Sequence, residues 1–183
     1  NGAAGSGGLT ESEQKAAGDA PTSLELSSSA FAPGETIPTK YTGFGENVSP
    51  PLAWSGVPDA AAELVLIVDD PDAPSPEAPR PEGPWVHWLL YKVPPDRTEL
   101  PEGFSEPGGP AVPAPMQQGA NSAGNTFYHG PKPPEGEHRY FFKLFALDAA
   151  LDLPAGASKD ELVRAMQGHV IARGTLMGTR APQ

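Results

Sequence analysis

Acidic residues directly follow an apolar run near the middle of the chain. Residues 63–68 are apolar on both faces of a strand, as an interior strand requires, and they lead into Asp69, Asp70, Pro71 and Asp72. The next apolar segment, 85–93, carries His87 among large apolar neighbours. Carboxylates at the end of one strand and an imidazole inside the next can orient each other, share protons or hold a small ligand.

A second imidazole lies in a later predicted strand, over residues 137–147. Side chains alternate faces along a strand, so His138 and Tyr140 share one face. The same alternation places His87 on one face of its strand together with Leu89 and Tyr91. Between these strands, the Gly130 region offers backbone amides.

Together these groups could surround a phosphate or another oxyanion. Two imidazoles, the Tyr140 hydroxyl and the amides near Gly130 are the donors, and Asp70 would orient a ring and favour its protonated form. We therefore expect phosphate monoesters to bind more tightly below about pH 6.5, where histidine gains its proton.

Simpler roles compete with this site. Each histidine can be a buried residue that only satisfies its own hydrogen bonds, and Asp69 or Asp72 can cap a turn. A zinc site from His87, His138 and a carboxylate is chemically feasible, but no closely spaced histidine pair supports it. The sequence therefore predicts no metal and no cofactor.

Composition limits the class of protein. A chain of 183 residues suits one domain, and its formal net charge of −11 disfavours binding to nucleic acid. Cys is 0, which excludes disulfides and thiolate ligands. There is no apolar run of about 18 residues, so no integral membrane segment is predicted.

The predicted elements are mostly strands. Pro 24 and Gly 21, spread between apolar runs, indicate frequent turns. We count roughly eight strands, one of them over 36–41, and one clear helix over 158–167 that begins with a Ser158–Glu161 capping box. This pattern predicts an all-β protein built as an antiparallel β-sandwich with one or two short helices.

The first 22 residues differ from the rest. Residues 1–22 are rich in Gly, Ala and polar residues, which predicts a flexible linker ahead of a domain over 23–183. Such a tail is typical of an exported or envelope-tethered domain, and an expression remnant is the alternative.

Three blocks of residues resemble the phosphatidylethanolamine-binding protein family, also called Raf kinase inhibitor protein-like, in its compact bacterial form. They are Ser49-Pro50-Pro51-Leu52-Ala53-Trp54 with Asp69-Asp70-Pro71-Asp72-Ala73-Pro74; Trp85-Val86-His87-Trp88; and Gly119, Asn121 and Gly124 followed by Gly130-Pro131 and residues 133–140. The resemblance covers about residues 24–180. It implies a Greek-key β-sandwich with a small pocket at one end for phosphate-type head groups and other small anions.

By that resemblance, the pocket is lined by Asp70, Asp72, Trp85, His87, Gly130, Pro131, His138 and Tyr140. The chain departs from the family pattern at Lys132, where bacterial members usually carry Cys. It also has a long proline-rich insert over 75–83, no Tyr before Trp85, and no C-terminal helix.

Three functions remain open at this stage. The first is a binding protein for small anions such as a phosphate or phospholipid head group, with a regulated protein partner and, by analogy with bacterial relatives, a homodimer. The second is an enzyme that uses His87 or His138 for general acid/base chemistry, although no activated nucleophile is visible. The third is a kinase or protease inhibitor that acts through the proline-rich loop 73–84.

Overall fold

The computed structural model of the protein describes residues 8–183. Within that range, eight strands and two short α-helices form the regular structure, together with one 3₁₀ helix. The strands are β1 Glu25–Ser27, β2 Leu52–Ser55, β3 Glu63–Asp70, β4 Trp85–Val93, β5 Glu99–Leu100, β6 Gln117–Gln118, β7 His138–Leu147 and β8 Val170–Arg180. The helices are α1 Glu11–Ala17 and α2 Lys159–Met166, and the 3₁₀ helix is Thr39–Tyr41.

Every ladder between these strands is antiparallel. One sheet has the order β1-β2-β5, and the larger sheet has the order β6-β4-β3-β7-β8. The predicted mostly-β class with antiparallel pairing and short helices is confirmed. The expected strand over 36–41 is wrong: Thr36 makes a single bridge to Thr179, and the chain then enters the 3₁₀ helix after Pro38, which has no N–H for a ladder.

The larger sheet is buried on both faces. Alternate residues of β3 explain this, because Leu64, Leu66 and Val68 join an apolar cluster with residues of the smaller sheet, such as Leu26 and Trp54. The intervening residues of β3, Val65 and Ile67, lie on the other face of the sheet, in a second apolar cluster. That cluster also contains Phe145 of β7 and residues in or next to the two helices: Leu9, Ala16, Leu162, Met166. All eight residues of β3 are buried: residues 63–68, as the apolar run predicts, and also Asp69 and Asp70, where the sequence suggested that burial would end.

The α2 helix begins as its sequence predicts. The backbone N–H of Glu161 donates to the Ser158 hydroxyl, and the backbone N–H of Ser158 donates to the Glu161 carboxylate. Leu162, Val163 and Met166 are buried. The apolar stripe expected from the sequence therefore packs on the sheet.

Over residues 8–22, the N-terminal segment is not the flexible linker that was expected over 1–22. Residues 1–7 lie outside the described residues, but Thr10 and Glu13 form a capping box that starts α1, and Leu9, Ala16 and Ala17 are buried. The packed structure thus extends to residue 8, beyond the expected boundary at residue 23. A seven-residue helix is too short to be stable alone, so tertiary contacts must hold it.

Those contacts include a buried cluster of four charges. The Lys143 ammonium lies 2.8 Å from a carboxylate oxygen of Glu13 and 2.8 Å from one of Asp69. The Lys159 ammonium lies 2.6 Å from Asp69 and 3.0 Å from Glu13. Because two cations meet two carboxylates, the cluster is neutral as a whole, and Glu13 ties α1 to the sheet and to α2.

Among residues 8–183, neither helix has the length or the apolar character needed to cross a bilayer.

Candidate functional site

A cavity of about 310 Å³ opens where the end of β3 and the starts of β4 and β7 meet the loops that precede β4 and β7. Six of the eight residues expected to form a site lie on its wall: Asp70, Trp85, His87, Gly130, His138, Tyr140. Asp72 and Pro131 do not line it. Residues more than 60 positions apart in the sequence therefore share one small space.

A β-bulge puts His87 in this cavity. Val68 pairs with Trp88, but the next residue, Asp69, pairs with Val86, so His87 is an extra residue of β4. The expectation that His87 shares a face with Leu89 and Tyr91 is wrong for this reason. The ring of His87 instead lies beside Tyr140, with ring centroids 5.2 Å apart.

His87 is a neutral imidazole. Its Nδ1 is within hydrogen-bond distance of the His129 carbonyl, which can only accept, so Nδ1 carries the proton. Burial lowers the pKa of His87 to about 3 because no carboxylate compensates the lost hydration. Nε2 is therefore an acceptor at neutral pH, and the expected gain of a proton on His87 near pH 6.5 does not fit its surroundings.

Asp70 and His138 form a buried pair at the cavity wall. The Nδ1 atom of His138 lies 2.7 Å from the Asp70 carboxylate, and its Nε2 lies 2.9 Å from the Glu135 carbonyl. Burial raises the pKa of Asp70, while the contact with His138 opposes that rise. Both ring nitrogens of His138 are thus engaged within the protein, and its role is to hold the Asp70 carboxylate in place.

Tyr140 separates the two imidazoles. Its ring stacks with that of His138 at a centroid distance of 6.3 Å and meets His87 edge-on. Burial raises the pKa of its hydroxyl, and the nearby Asp70 raises it further, so the group stays protonated and can donate a hydrogen bond. The predicted common face of His138 and Tyr140 on β7 is confirmed, since both side chains line the cavity.

Asp72 lies outside the cavity and stabilises its wall through Arg139. Its carboxylate accepts three hydrogen bonds from Arg139, one from the backbone N–H and two from the guanidinium. Burial alone would raise the pKa of Asp72, but the bonds to Arg139 outweigh burial and lower it. The expected ligand contact of Asp72 is therefore replaced by a structural one that fastens the turn after β3 to β7.

Gly130 and Pro131 are fixed by the backbone around them. The Gly130 N–H donates to the Asn47 side-chain oxygen at 2.7 Å, so it is not free to bind an anion as we expected. A Cβ at Gly130 would lie 2.5 Å from that oxygen, which explains why glycine is needed there. The Pro131 carbonyl accepts from Gly43 at 2.8 Å and helps to hold this loop beside the cavity.

Three basic side chains on the wall were not among the expected site residues: Arg80, His129, Lys132. Lys132 was noted only as a departure from the family pattern. Arg80 comes from the proline-rich insert, and its guanidinium carbon lies 5.2 Å from the ring centroid of Trp85. Its Nη1 is buried and has no hydrogen-bond partner within residues 8–183. A lone arginine in a proline-rich segment carries no periodic signal, so only its spacing of five residues from Trp85 could have drawn attention to it.

Burial also lowers the pKa of His129, and the positive charge of Lys132 adds to the effect. The ammonium of Lys132 lies 6.0 Å from the ring centroid of Phe44. No group of three His, Asp or Glu side chains in the described part of the chain is arranged to hold a metal ion.

Comparison with known proteins identifies relatives over most of the chain. A family model described as phosphatidylethanolamine-binding protein matches residues 27–181. The UPF0098 protein of Methanothermobacter thermautotrophicus is 47% identical over 155 residues, which cover 85% of this chain and 97% of that protein. Such relatives occur in archaea as well as in bacteria, so the similarity extends beyond the bacterial branch that the sequence suggested.

Solved structures agree with this match. A Chlamydia trachomatis structure described as a homologue of phosphatidylethanolamine-binding protein aligns with a TM-score of 0.78 and 41% identity, covering 88% of this chain and 99% of the other. YbcL of Escherichia coli, described as a member of the mammalian family, aligns with a TM-score of 0.78 at 28% identity, with coverage of 88% and 99%.

Proposed function

The chain belongs to the phosphatidylethanolamine-binding protein family, and from this premise we propose that it is a binding protein whose cavity takes a small phosphate-type or other anionic ligand. The observation that carries the proposal is the convergence of Asp70, His87, His138 and Tyr140 on one cavity. We also propose that its two antiparallel sheets form a Greek-key β-sandwich, with the cavity at one end.

The polar groups of the cavity suit a ligand that both donates and accepts hydrogen bonds. Neutral His87 provides an acceptor at Nε2, and the Tyr140 hydroxyl provides a donor. A phosphate monoester monoanion has one O–H and several acceptor oxygens, so it matches this pair. The carboxylate of Asp70 is hydrogen-bonded to His138, which weakens its repulsion of such a ligand.

We propose binding without catalysis. A general acid or base works best when its pKa lies near the working pH, whereas the pKa of His87 is lowered to about 3. Both nitrogens of His138 are engaged, and no Ser or Thr hydroxyl from residues 8–183 lines the cavity. The alternative of an enzyme that uses this pocket therefore has less support.

The position of the proline-rich loop 73–84 also helps to distinguish a ligand-binding protein from an inhibitor that acts through this loop. Its residues Ala73, Pro74 and Arg80 form part of the cavity wall. This position favours a part in ligand binding over the inhibitor role considered from the sequence. Regulation of a protein partner and assembly into a homodimer stay predictions.

The proposal is tested by calorimetric or NMR titration of the full chain with inorganic phosphate and O-phosphoethanolamine. We expect saturable binding to the wild-type protein and a loss of roughly tenfold or more for His87→Ala, because a ligand hydrogen bond is removed. His169→Ala is the matched control, since His169 is an exposed histidine that pairs with Asp148 and does not line the cavity. Circular dichroism establishes that both variants are folded. Equal binding by all three proteins, or none by the wild type, would contradict the proposal.

A further inference from the structure

The cavity needs a positive charge to hold an anion, and the groups expected from the sequence do not supply one. His87 is neutral, and both nitrogens of His138 are bonded within the protein. The N–H of Gly130 is taken by Asn47. Burial lowers the pKa of His129, and the chain as a whole has a net charge of −11.

Two cationic side chains line the cavity, Arg80 and Lys132, and the geometry favours Arg80. A guanidinium stays charged at every relevant pH and binds oxyanions through fixed N–H donors. One of its terminal nitrogens, Nη1, is buried without a hydrogen-bond partner in the described part of the chain. A buried N–H group left unpaired is costly, so an acceptor supplied by a ligand would be stabilising there. Its other terminal nitrogen, Nη2, lies 3.9 Å from Glu82, which leaves that contact weak.

The guanidinium is held in place by its neighbours. It stacks over Trp85, another cavity residue, at 5.2 Å from the ring centroid. The backbone N–H of Arg80 donates to the Ala73 carbonyl at 2.9 Å, which closes the insert into a compact loop. That loop packs across the cavity rim, where a Cβ on Gly136 would lie 2.8 Å from Pro76.

We propose that Arg80 is the residue that determines the cavity's specificity for anions, and that it contacts the phosphate or carboxylate group of the ligand directly. This inference rests on the proposed binding function and deepens it. The insert over 75–83 is then part of the binding site, because it delivers the charge that β3, β4 and β7 do not.

Titration of the protein and its variants with inorganic phosphate and O-phosphoethanolamine tests the inference. Arg80→Gln removes the charge and keeps much of the length, and we expect its affinity to fall about ten- to hundredfold for both probes. Arg80→Lys should regain part of that loss because it restores the charge without the planar fork. Affinity of wild type and Arg80→Lys should fall with added salt more steeply than that of Arg80→Gln.

Arg97→Gln is the matched control. Arg97 also stacks over an aromatic ring, with its guanidinium carbon 5.0 Å from the centroid of Phe104, but it does not line the cavity. Because it carries the same change in net charge, it should bind both probes as the wild type does. If Arg80→Gln binds like the wild type while His87→Ala does not, the cavity binds anions and the role of Arg80 is refuted. A wild-type protein that binds neither probe overturns the inference together with the proposed function.

Discussion

Asp69 and Asp70 are consecutive residues at the end of β3, yet their carboxylates contact basic partners on opposite faces of the sheet. Asp69 lies 2.8 Å from the Lys143 ammonium beneath the helices, and Asp70 lies 2.7 Å from His138 in the cavity wall. Both aspartates are almost completely buried. The same strand end is thus fixed from the helical side while it presents a carboxylate to the cavity.

Asp70→Asn should lower both stability and ligand binding. The amide leaves one nitrogen of His138 without its carboxylate in a buried position, and such a loss costs roughly 1–3 kcal/mol of unfolding free energy. Chemical denaturation and phosphate titration measure the two effects. Asp148→Asn is the control, because Asp148 and His169 also lie 2.8 Å apart but are nearly half exposed, so that change should have little effect. Equal stabilities for the two variants would contradict the importance of the buried pair.

His87 should stay neutral across the physiological range. Burial lowers its pKa to about 3, so its ring should carry a proton on Nδ1 alone from pH 8 down to about pH 4. Two-dimensional NMR that correlates ring nitrogens with ring protons identifies this tautomer directly. Affinity for phosphate should show no increase that follows protonation of His87. A midpoint near pH 6.5 for His87 would restore the simpler expectation drawn from sequence.

Glu13→Gln should destabilise the protein strongly. It leaves Lys143 and Lys159 with a single carboxylate, Asp69, and removal of one partner from a buried ionic cluster costs roughly 3–5 kcal/mol. Denaturant unfolding measures the loss. Glu11→Gln changes an exposed acid in the same helix and should be nearly neutral.

The same cluster should make the free energy of unfolding depend on pH under acidic conditions. Burial would raise the pKa of Glu13, but Lys143 and Lys159 outweigh burial and lower it below the usual 4.5. A carboxylate whose pKa is lowered by folding stabilises the protein above about pH 4.5, and that contribution is lost as pH falls below this value. Wild-type unfolding free energy should therefore fall more steeply below pH 4.5 than that of Glu13→Gln. Parallel pH profiles would contradict the assignment.

Gly130→Ala tests whether Gly130 acts through close packing. An added Cβ would lie 2.5 Å from the Asn47 side-chain oxygen and 2.6 Å from the Tyr41 carbonyl oxygen. We expect a loss of roughly 1–3 kcal/mol in unfolding free energy, typical of forced overpacking. Thermal unfolding measures this loss. An unchanged midpoint would show that the loop around Gly130 can shift to accommodate the added Cβ without a loss of stability.

Sequence reasoning succeeded where the local pattern alone determines the structure. The continuous apolar run of β3, the alternation of β7 and the Ser158–Glu161 capping box all predicted elements that the structure confirms. It assigned His87 to the wrong face of β4, because a bulge depends on the register between two strands. The sequence of β4 alone carries no pattern that reveals it.

The N-terminal helix was missed for a different reason. Its stabilising partner Lys143 lies 130 residues away from Glu13, and no local composition reveals such a contact. One local signal was present: Thr10 and Glu13 have the spacing of a capping box, as Ser158 and Glu161 do. Arg80 gave no signal beyond its charge and its spacing from Trp85, since proline-rich segments lack the periodicity that assigns a side chain to a face.

The most direct test of the central claim is a high-resolution crystal structure of the protein soaked with O-phosphoethanolamine. We predict ligand density in the cavity, with a phosphate oxygen within hydrogen-bond distance of His87 Nε2 or the Tyr140 hydroxyl and with Arg80 beside the anion. Density for the ligand only at other surfaces, with an unchanged cavity at saturating concentration, would contradict the claim.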